Sequence, residues 1–380
     1  MASSVTWDSL RDLAGLRAEK GCAISLYLDL DPSVSPTPGD TSSRVNALVD
    51  EVERSNTATR PELTHEQREG LRKDVERIRS FFEQEFTRNG ARGLAVFSAG
   101  LDNVWQDLPL SEAVPDAVRV GRTFYLAPLV PLVGRGEGAI VAFVGRERGD
   151  LYRLRAGRLE ELEEHFQEQP GRHDQGGWSQ ARYQRHIEKL VDDHLREVSE
   201  RLDHQVRRLR GPRVIVVASD ETRADLEEKL TNEVRKAIIG WTTAEAHADA
   251  PALLEVVEPV LKRWRAEQET EAVERWQEEA GRNGRAAAGW AQTLEAASDG
   301  RVELLLFQDG VNRDAWQCPA CGRLSSDDGP CPLDGTRMEL DDAGLDLACH
   351  QTLAHGGTIW AVRERRDLEP VEGIGALLRY

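Results

Sequence analysis

What this 380-residue sequence lacks sets its first limits. No stretch approaches the roughly 18 uncharged apolar residues that a membrane-spanning helix needs. The opening residues, MASSVTWDSLRDLAGLRAEK, have no apolar centre of the kind a secretory signal carries. The expectation is a cytoplasmic protein without membrane contact. Cysteine is scarce: there are five, three of them within fourteen residues, which is not the even, dispersed set of a secreted disulfide scaffold. A serine nucleophile would want a G-x-S-x-G elbow, and none is present. Nor is there a phosphate loop ending in Gly-Lys-Ser/Thr, or a helical pair of histidines around an acid at zinc-protease spacing. His173, His186 and His194 lie close together in sequence, but with no acid at catalytic spacing they read as surface residues.

Positive charge is also short, with a net charge of −18 that argues against nucleic acid as a general partner. The average hides a local change. From Arg172 to Arg213 there are ten Arg/Lys against seven Asp/Glu, whereas Glu160 to Gln169 carries five acids and no base. At that change of sign sits HDQGGWSQARYQRH, residues 173–186, with two adjacent glycines ahead of an amphipathic helix pattern. A mixed-charge solvated helix is the plainer reading of the same counts.

The chain is too long for one core, and three domains are expected: 1–134, 135–250 and 251–380. In the first, SLRDLAGL reads as a helix and CAISLYLDLD as a strand, followed by a Pro- and Ser-rich loop, PSVSPTPGDTSS. Helices are predicted from about Arg44 to Ser55 and from Thr64 to Phe86, and strands at GLAVFSA, NVWQDLPL and TFYLAPLVPLV. In the second, two strands around a turn (GAIVAFVGRERGDLYRLRAGRLEEL) feed the glycine loop. A helix from about Ser179 to Arg210, the strand PRVIVVAS, the helix ETRADLEEKLT and the strand AIIGWTTAEAH imply a mostly parallel sheet. The third has a long helix from Ala252, a helix in GRAAAGWAQTLEAASDG, the strand RVELLLF, a cysteine-bearing insert at about 316–340, the helix GLDLACHQTLAHGG and the strand TIWAV. The fold class is α/β throughout. Trp241, Trp264, Trp276 and Trp290 read as core or interface anchors; Trp178, inside the glycine loop, does not.

The insert, CPACGRLSSDDGPCPLDG, has two knuckle-like turns, Cys318-x2-Cys321 and Cys331-x2-Asp334, each followed by a glycine. Such spacing lets both side chains of a turn reach one tetrahedral ion. One reading is a structural zinc held by Cys318, Cys321, Cys331 and Asp334, with Cys349 or His350 in reserve. The other is a decayed ribbon whose thiols only pack.

Four stretches together resemble the class I peptide release factors of archaea and eukaryotes and their bacterial relatives. Gly373-Ile-Gly-Ala-Leu-Leu-Arg-Tyr380 resembles the closing strand of that superfamily's third domain, and GRAAAGWAQTLEAASDGRVELLLF its helix and strand before an archaeal-type cysteine insert. Ser43-Arg44-Val45-Asn46 is similar to the helix after the codon-reading Asn-Ile-Lys-Ser loop, and Gly176-Gly177-Trp178-Ser179-Gln180 stands where the superfamily keeps Gly-Gly-Gln. There are departures. Asp40-Thr41-Ser42 replaces the Asn, Ile and Lys, no Tyr-x-Cys codon-reading motif is present, and Trp178 and Ser179 separate the glycines from Gln180.

The resemblance implies three α/β domains in the release-factor arrangement, a zinc-ribbon-like insert in the third, and a monomer that enters the ribosomal A site. Its expected partners are 23S and 16S rRNA, peptidyl-tRNA and a translational GTPase such as elongation factor Tu. Stop-codon decoding is not expected. Two functions are carried forward. In the first, similar to the ribosome quality-control branch, Gln180, Gly176 and Gly177 act on the peptidyl-tRNA ester while Trp178, Ser179, Arg182, Arg185, Arg44 and Asn46 contact RNA. In the second, similar to Balon-type hibernation factors, the same loop occupies the peptidyl transferase centre of idle ribosomes without hydrolysis.

Overall fold

The structure, a computed structural model, describes the chain except for residues 1–4, 59–62, 89, 111, 134–137, 156, 163–179, 210–211 and 283, and except for the side chains of 55–58, 155 and 180–187. The described residues form two units, one of Met1–Arg135 with Ala266–Tyr380 and one of Gly136–Arg265. The first and third of the expected segments thus contribute to one unit. Among the described residues no helix is long and apolar enough to cross a membrane.

The chain starts with α1 (Trp7–Gly15), opened by a capping box between Thr6 and Ser9, and then β1 (Ala23–Asp29). Next come α2 (Pro38–Ala58) and α3 (His65–Gln84), the latter opened by a Thr64/Gln67 capping box. Strands β2 (Gly93–Ala99), β3 (Val104–Leu110) and β4 (Ala117–Gly121) complete an antiparallel sheet in the order β3-β2-β1-β4. Alternation along β1 and β2 sends Ile24, Leu26, Leu28, Leu94 and Val96 towards Val45, Val49, Leu71, Val75 and Ile78 of α2 and α3. Tyr27, Ala95 and Phe97 face the other way.

Two expectations fail here for local reasons. Helix α2 begins six residues before Arg44, because Pro38 suits a first helical position and Thr37 and Asp40 cap reciprocally: the Asp40 N–H donates to Thr37 Oγ1 at 3.2 Å and the Thr37 N–H to Asp40 Oδ2 at 3.0 Å. Asp40, Thr41 and Ser42 are therefore helical and not part of a loop. TFYLAPLVPLV is not a strand either; Ala127–Leu132 forms a 3-10 turn with Pro131 inside it, since proline gives a sheet no N–H. The strand missed in the sequence is the half-buried AVRVG of β4, just before it.

The second unit contains β5 (Ile140–Val144), β6 (Gly149–Arg155), β7 (Arg158–Glu161), α4 (Gln180–Arg208), β8 (Val214–Val217), α5 (Asp220–Lys229), α6 (Asn232–Ala237) and β9 (Ile238–Thr242). Its sheet runs β7-β6-β5-β8-β9. Pairings β5–β8 and β8–β9 are parallel, and the β5-β6-β7 meander is antiparallel, so the sheet is mixed where a mostly parallel one was expected. Ile140, Ala142, Val144, Val214 and Val216 pack with α4 to α6. Ala139, Val141, Phe143, Ile215 and Val217 pack on the other face against Leu253, Val257, Val260 and Leu261 of α7 (Ala250–Gly281). Both faces are covered, as the unbroken apolar strands require.

Helix α7 continues into the first unit. There β10 (Ala286–Ala288), α8 (Gly289–Ser298), β11 (Val302–Gln308), the small-sheet strands β12 (Ala315–Gln317), β13 (Leu324–Ser325) and β14 (Glu339–Asp341), α9 (Gly344–Ala354), β15 (Thr358–Val362) and β16 (Ile374–Leu378) follow. The stretch expected as one helix from Gly284 divides at Gly289, whose φ of +77° ends the short strand β10 and turns the chain into α8. The larger sheet is β10-β16-β11-β15. One face meets Val273 and Trp276 of α7; the other, with α8 and α9, shares a core with Tyr27 and Phe97 of the first sheet and with Phe124, which follows β4.

Candidate functional site

Gly176, Gly177, Trp178 and Ser179 lie outside the described residues, as do the side chains of Gln180, Arg182 and Arg185. Their platform is described. Gln180 is the first residue of α4, a helix of 29 residues. Its backbone N–H is among the first four that have no acceptor within the helix, at the positive end of the helix dipole. Val191, Leu195, Val198, Leu202 and Val206 recur at spacings of three and four and fix the helix on the sheet. Ser199 Oγ adds a hydrogen bond to the Lys229 carbonyl at 2.8 Å. Further along, Arg196 pairs with Asp192, Arg201 with Glu197, and Arg207 with Asp203 and Glu233. Three of the ten basic residues counted from Arg172 to Arg213 are thus paired with acids, and the plainer mixed-charge reading describes this part of the helix.

Arg44 and Asn46 are both on α2. Asn46 is exposed. Arg44 donates to the carbonyl of Asp29 at 2.7 Å and through Nε to Asp116 Oδ2 at 2.8 Å, with further bonds to Ser35 and Asp116. Its guanidinium joins the end of β1 to the residue before β4, a structural task.

The four residues of the insert do come together. The Sγ atoms of Cys318, Cys321 and Cys331 and a carboxylate oxygen of Asp334 all lie within 4.8 Å of one another. Both knuckles have the same backbone. The Gly322 N–H donates to the Cys318 carbonyl and the Gly335 N–H to the Cys331 carbonyl, each at 2.9 Å, and the two glycines have φ of +78° and +74°. In the first knuckle the N–H of Arg323 points at Cys321 Sγ; in the second that of Thr336 donates to Asp334 Oδ1 at 2.9 Å. Asp334 thus occupies the place that Cys321 has in the other turn. The Thr336 backbone N–H and then its side chain hold the Asp334 carboxyl at about 2. Burial opposes ionisation of Cys318, but the N–H groups of Cys321 and Ala320 bring its thiol below the usual value. Cys321, despite the Arg323 N–H, is pushed up to about 11 by desolvation and the adjacent sulfurs. Crowded donors of this kind suit a divalent cation, and three sulfurs with one carboxylate fit tetrahedral zinc.

The reserve ligands lie elsewhere. Cys349 is fully buried in the shared core. His350 Nε2 is 2.6 Å from the carbonyl oxygen of Phe124, a contact that requires a proton on Nε2. One turn earlier on α9, Asp346 Oδ1 accepts the N–H groups of Leu126 at 2.6 Å and Ala127 at 2.9 Å. Burial raises the Asp346 carboxyl from its ordinary value, against the opposing effect of His350 and the two N–H groups. Sequence reading missed this clamp, whose only signal was an acid and a histidine four apart on one helix.

Residues 125–262 match the family model described as bacterial archaeo-eukaryotic release factor family 10. The chain is 22% identical over 342 residues to peptide chain release factor subunit 1 of Archaeoglobus fulgidus, covering 85% of this chain and 81% of that protein. It is 26% identical over 217 residues to the protein of the same name in Methanopyrus kandleri, covering 54% and 51%. Among solved structures it is similar to a crystal structure of an archaeal translation termination factor, at 16% identity and a TM-score of 0.27 over 99% of each chain. A model of ribosome-bound archaeal Pelota is also similar, at 17% identity and a TM-score of 0.43 over 73% of this chain and 72% of that one. The chain is thus similar over residues 125–262 to the bacterial archaeo-eukaryotic release factors, and over most of its length to archaeal peptide chain release factor subunit 1.

Proposed function

We propose that the protein is a ribosome-associated factor of rescue or quality control, and that its middle unit brings Gly176–Gln180 to the peptidyl-tRNA ester. The observation that carries this reading is the family match over residues 125–262, which include the Gly-Gly-Trp-Ser-Gln sequence whose glutamine begins α4. Water attacks the ester carbonyl carbon, the bond to the tRNA ribose oxygen breaks, and that oxygen takes up a proton. Gln180 needs no shifted pKa for its part. Its side chain orients the water, while its backbone N–H at the helix start faces the negative charge developing on the carbonyl oxygen. Orientation alone supplies about 7 to 11 kcal/mol in favourable model reactions. Gly176 and Gly177 let the backbone approach RNA where a side chain would collide, and Arg182 and Arg185 hold phosphates.

The test is release of peptide from peptidyl-tRNA on purified ribosomes, with co-sedimentation measured alongside. Gln180→Ala is expected to bind and not to release; undiminished release sinks the reading. Trp178 favours a second reading, because an indole between the glycines and the glutamine can stack on an unpaired base and fill the site without hydrolysis. In that case Trp178→Ala weakens binding and Gln180→Ala changes little.

Cys318, Cys321, Cys331 and Asp334 are proposed to hold a zinc ion that ties the two knuckles together. Its role is structural. Delivery by a translational GTPase such as elongation factor Tu belongs to the same proposal.

A further inference from the structure

The first unit holds a cavity of about 300 Å³, open to solvent, that lies on the α7 side of its larger sheet. Leu304 of β11, Trp360 of β15 and Leu377 of β16 give it an apolar floor. Gln268, Glu271 and Arg275 of α7 recur at spacings of three and four and so share one wall. That wall is held on both sides. The buried Glu269 carboxylate accepts the N–H groups of Arg363, Glu364 and Arg365 at 3.0, 2.9 and 2.9 Å, just past β15, and the Trp276 indole donates to the Ala287 carbonyl at 3.0 Å. Trp7, the first residue of α1, completes the lining.

Charge and hydrogen bonding narrow the choice of occupant. Arg275 is met by Glu303 at 2.9 and 3.0 Å. Glu271 is exposed and accepts only the Gln268 amide, at 3.4 Å; among the described residues no cation pairs with it. The lining therefore has one uncompensated carboxylate beside two half-buried indoles. A cation on an apolar stem satisfies both, its charge meeting the carboxylate and the aromatic faces while its methylenes cover the floor. A guanidinium does so better than an ammonium, because it is planar, stacks on indole and meets a carboxylate through two N–H groups. The indole donors say what the cation is attached to. Those of Trp276 and Trp290 are bonded inside the unit, to the carbonyls of Ala287 and Glu372. Those of Trp7 and Trp360 have no acceptor among the described residues and are not buried. A free cation offers them none, whereas a peptide brings a backbone carbonyl on each side of its side chain.

We propose that this cavity takes an arginine side chain from a protein partner, with the guanidinium on Glu271, the methylenes over Leu304 and Leu377, and neighbouring peptide carbonyls on the Trp7 and Trp360 indoles. Binding is followed on the full chain, without ribosomes, through the indole N–H resonances of Trp7 and Trp360, assigned with Trp7→Phe and Trp360→Phe. The probes are a capped glycyl-arginyl-glycine peptide, the same peptide with uncharged citrulline for arginine, and agmatine, which carries the guanidinium stem without a peptide. The arginine peptide is expected to shift both resonances. The citrulline peptide is expected to bind about tenfold more weakly, as the loss of a hydrogen-bonded charge does, and Glu271→Gln to remove that difference; agmatine should bind more weakly than the arginine peptide. Resonances that stay in place, or equal binding of the arginine and citrulline peptides, overturn the site. Agmatine binding as tightly as the arginine peptide overturns the protein partner and assigns the cavity to a small free cation.

Discussion

The two units differ in how their sheets are covered. In Gly136–Arg265 each face of the sheet has its own helices, α4 to α6 on one side and the first half of α7 on the other, so its two cores draw on one continuous piece of chain. In the other unit the first sheet has α2 and α3 on one face only, and its second face is completed by residues more than 150 positions away, Trp290 and Phe307 among them. A segment that owns its core and a segment that borrows one look alike as patterns of strand and helix. Only the contacts separate them.

The sharpest way to break that contrast is at the borrowed core. Phe97 is fully buried and its ring meets Phe124 at 5.2 Å between centroids. Phe97→Ala should cost about 3–5 kcal/mol. Hydrogen exchange should then show protection falling together in β1 and β11 while β5 and β8 keep theirs. Loss confined to β1 would mean that the two sheets do not share their stability.

Asp346→Ala attacks the same join through polar groups. It leaves the buried N–H groups of Leu126 and Ala127 without their acceptor, a loss of about 1–3 kcal/mol. The expected readout is a lowered melting temperature with faster exchange at 124–127. Unchanged exchange there would show that the clamp is not what orders the segment. In the middle unit Gly240→Ala is the counterpart. A Cβ at that point of β9 would overlap Val260 Cγ1 of α7, and overpacking of this kind costs about 1–3 kcal/mol. Its effect should appear as faster exchange in β8 and β9 and leave β1 and β11 as they were.

These contrasts also explain what was legible in the sequence. GLAVFSA and PRVIVVAS read correctly because alternation and unbroken apolar runs are local signals of burial. TFYLAPLVPLV carried the same apolar signal, and its prolines decided against a strand. AVRVG was passed over because half-buried residues show little alternation of hydrophobicity. The Asp346 clamp was out of reach, since its partners lie 219 and 220 residues away. The knuckles, by contrast, are entirely local, and spacing was enough to gather Cys318, Cys321, Cys331 and Asp334. Arg44 shows the limit of a motif: its place in α2 could be read, but not that Asp116 and the end of β1 would take up its guanidinium.

The smallest effect on stability, and the most local test, is in the insert itself, where the two knuckles differ at one position. Cys321 in the first takes an N–H from Arg323, two residues on; Asp334 in the second takes one from Thr336, also two residues on. With the glycine after each in the same left-handed conformation, Asp334→Cys requires no new backbone and places a sulfur where the N–H is already waiting. A fourth thiolate is a softer donor to zinc than a carboxylate. The variant is expected to hold zinc against higher concentrations of a competing chelator, while the global unfolding free energy moves by no more than about 0.5 kcal/mol, as for other exposed substitutions. Chelator resistance equal to the parent's would mean that position 334 does not reach the ion. Weaker retention would mean that the carboxylate's second oxygen, rather than its place in the knuckle, is what the site uses.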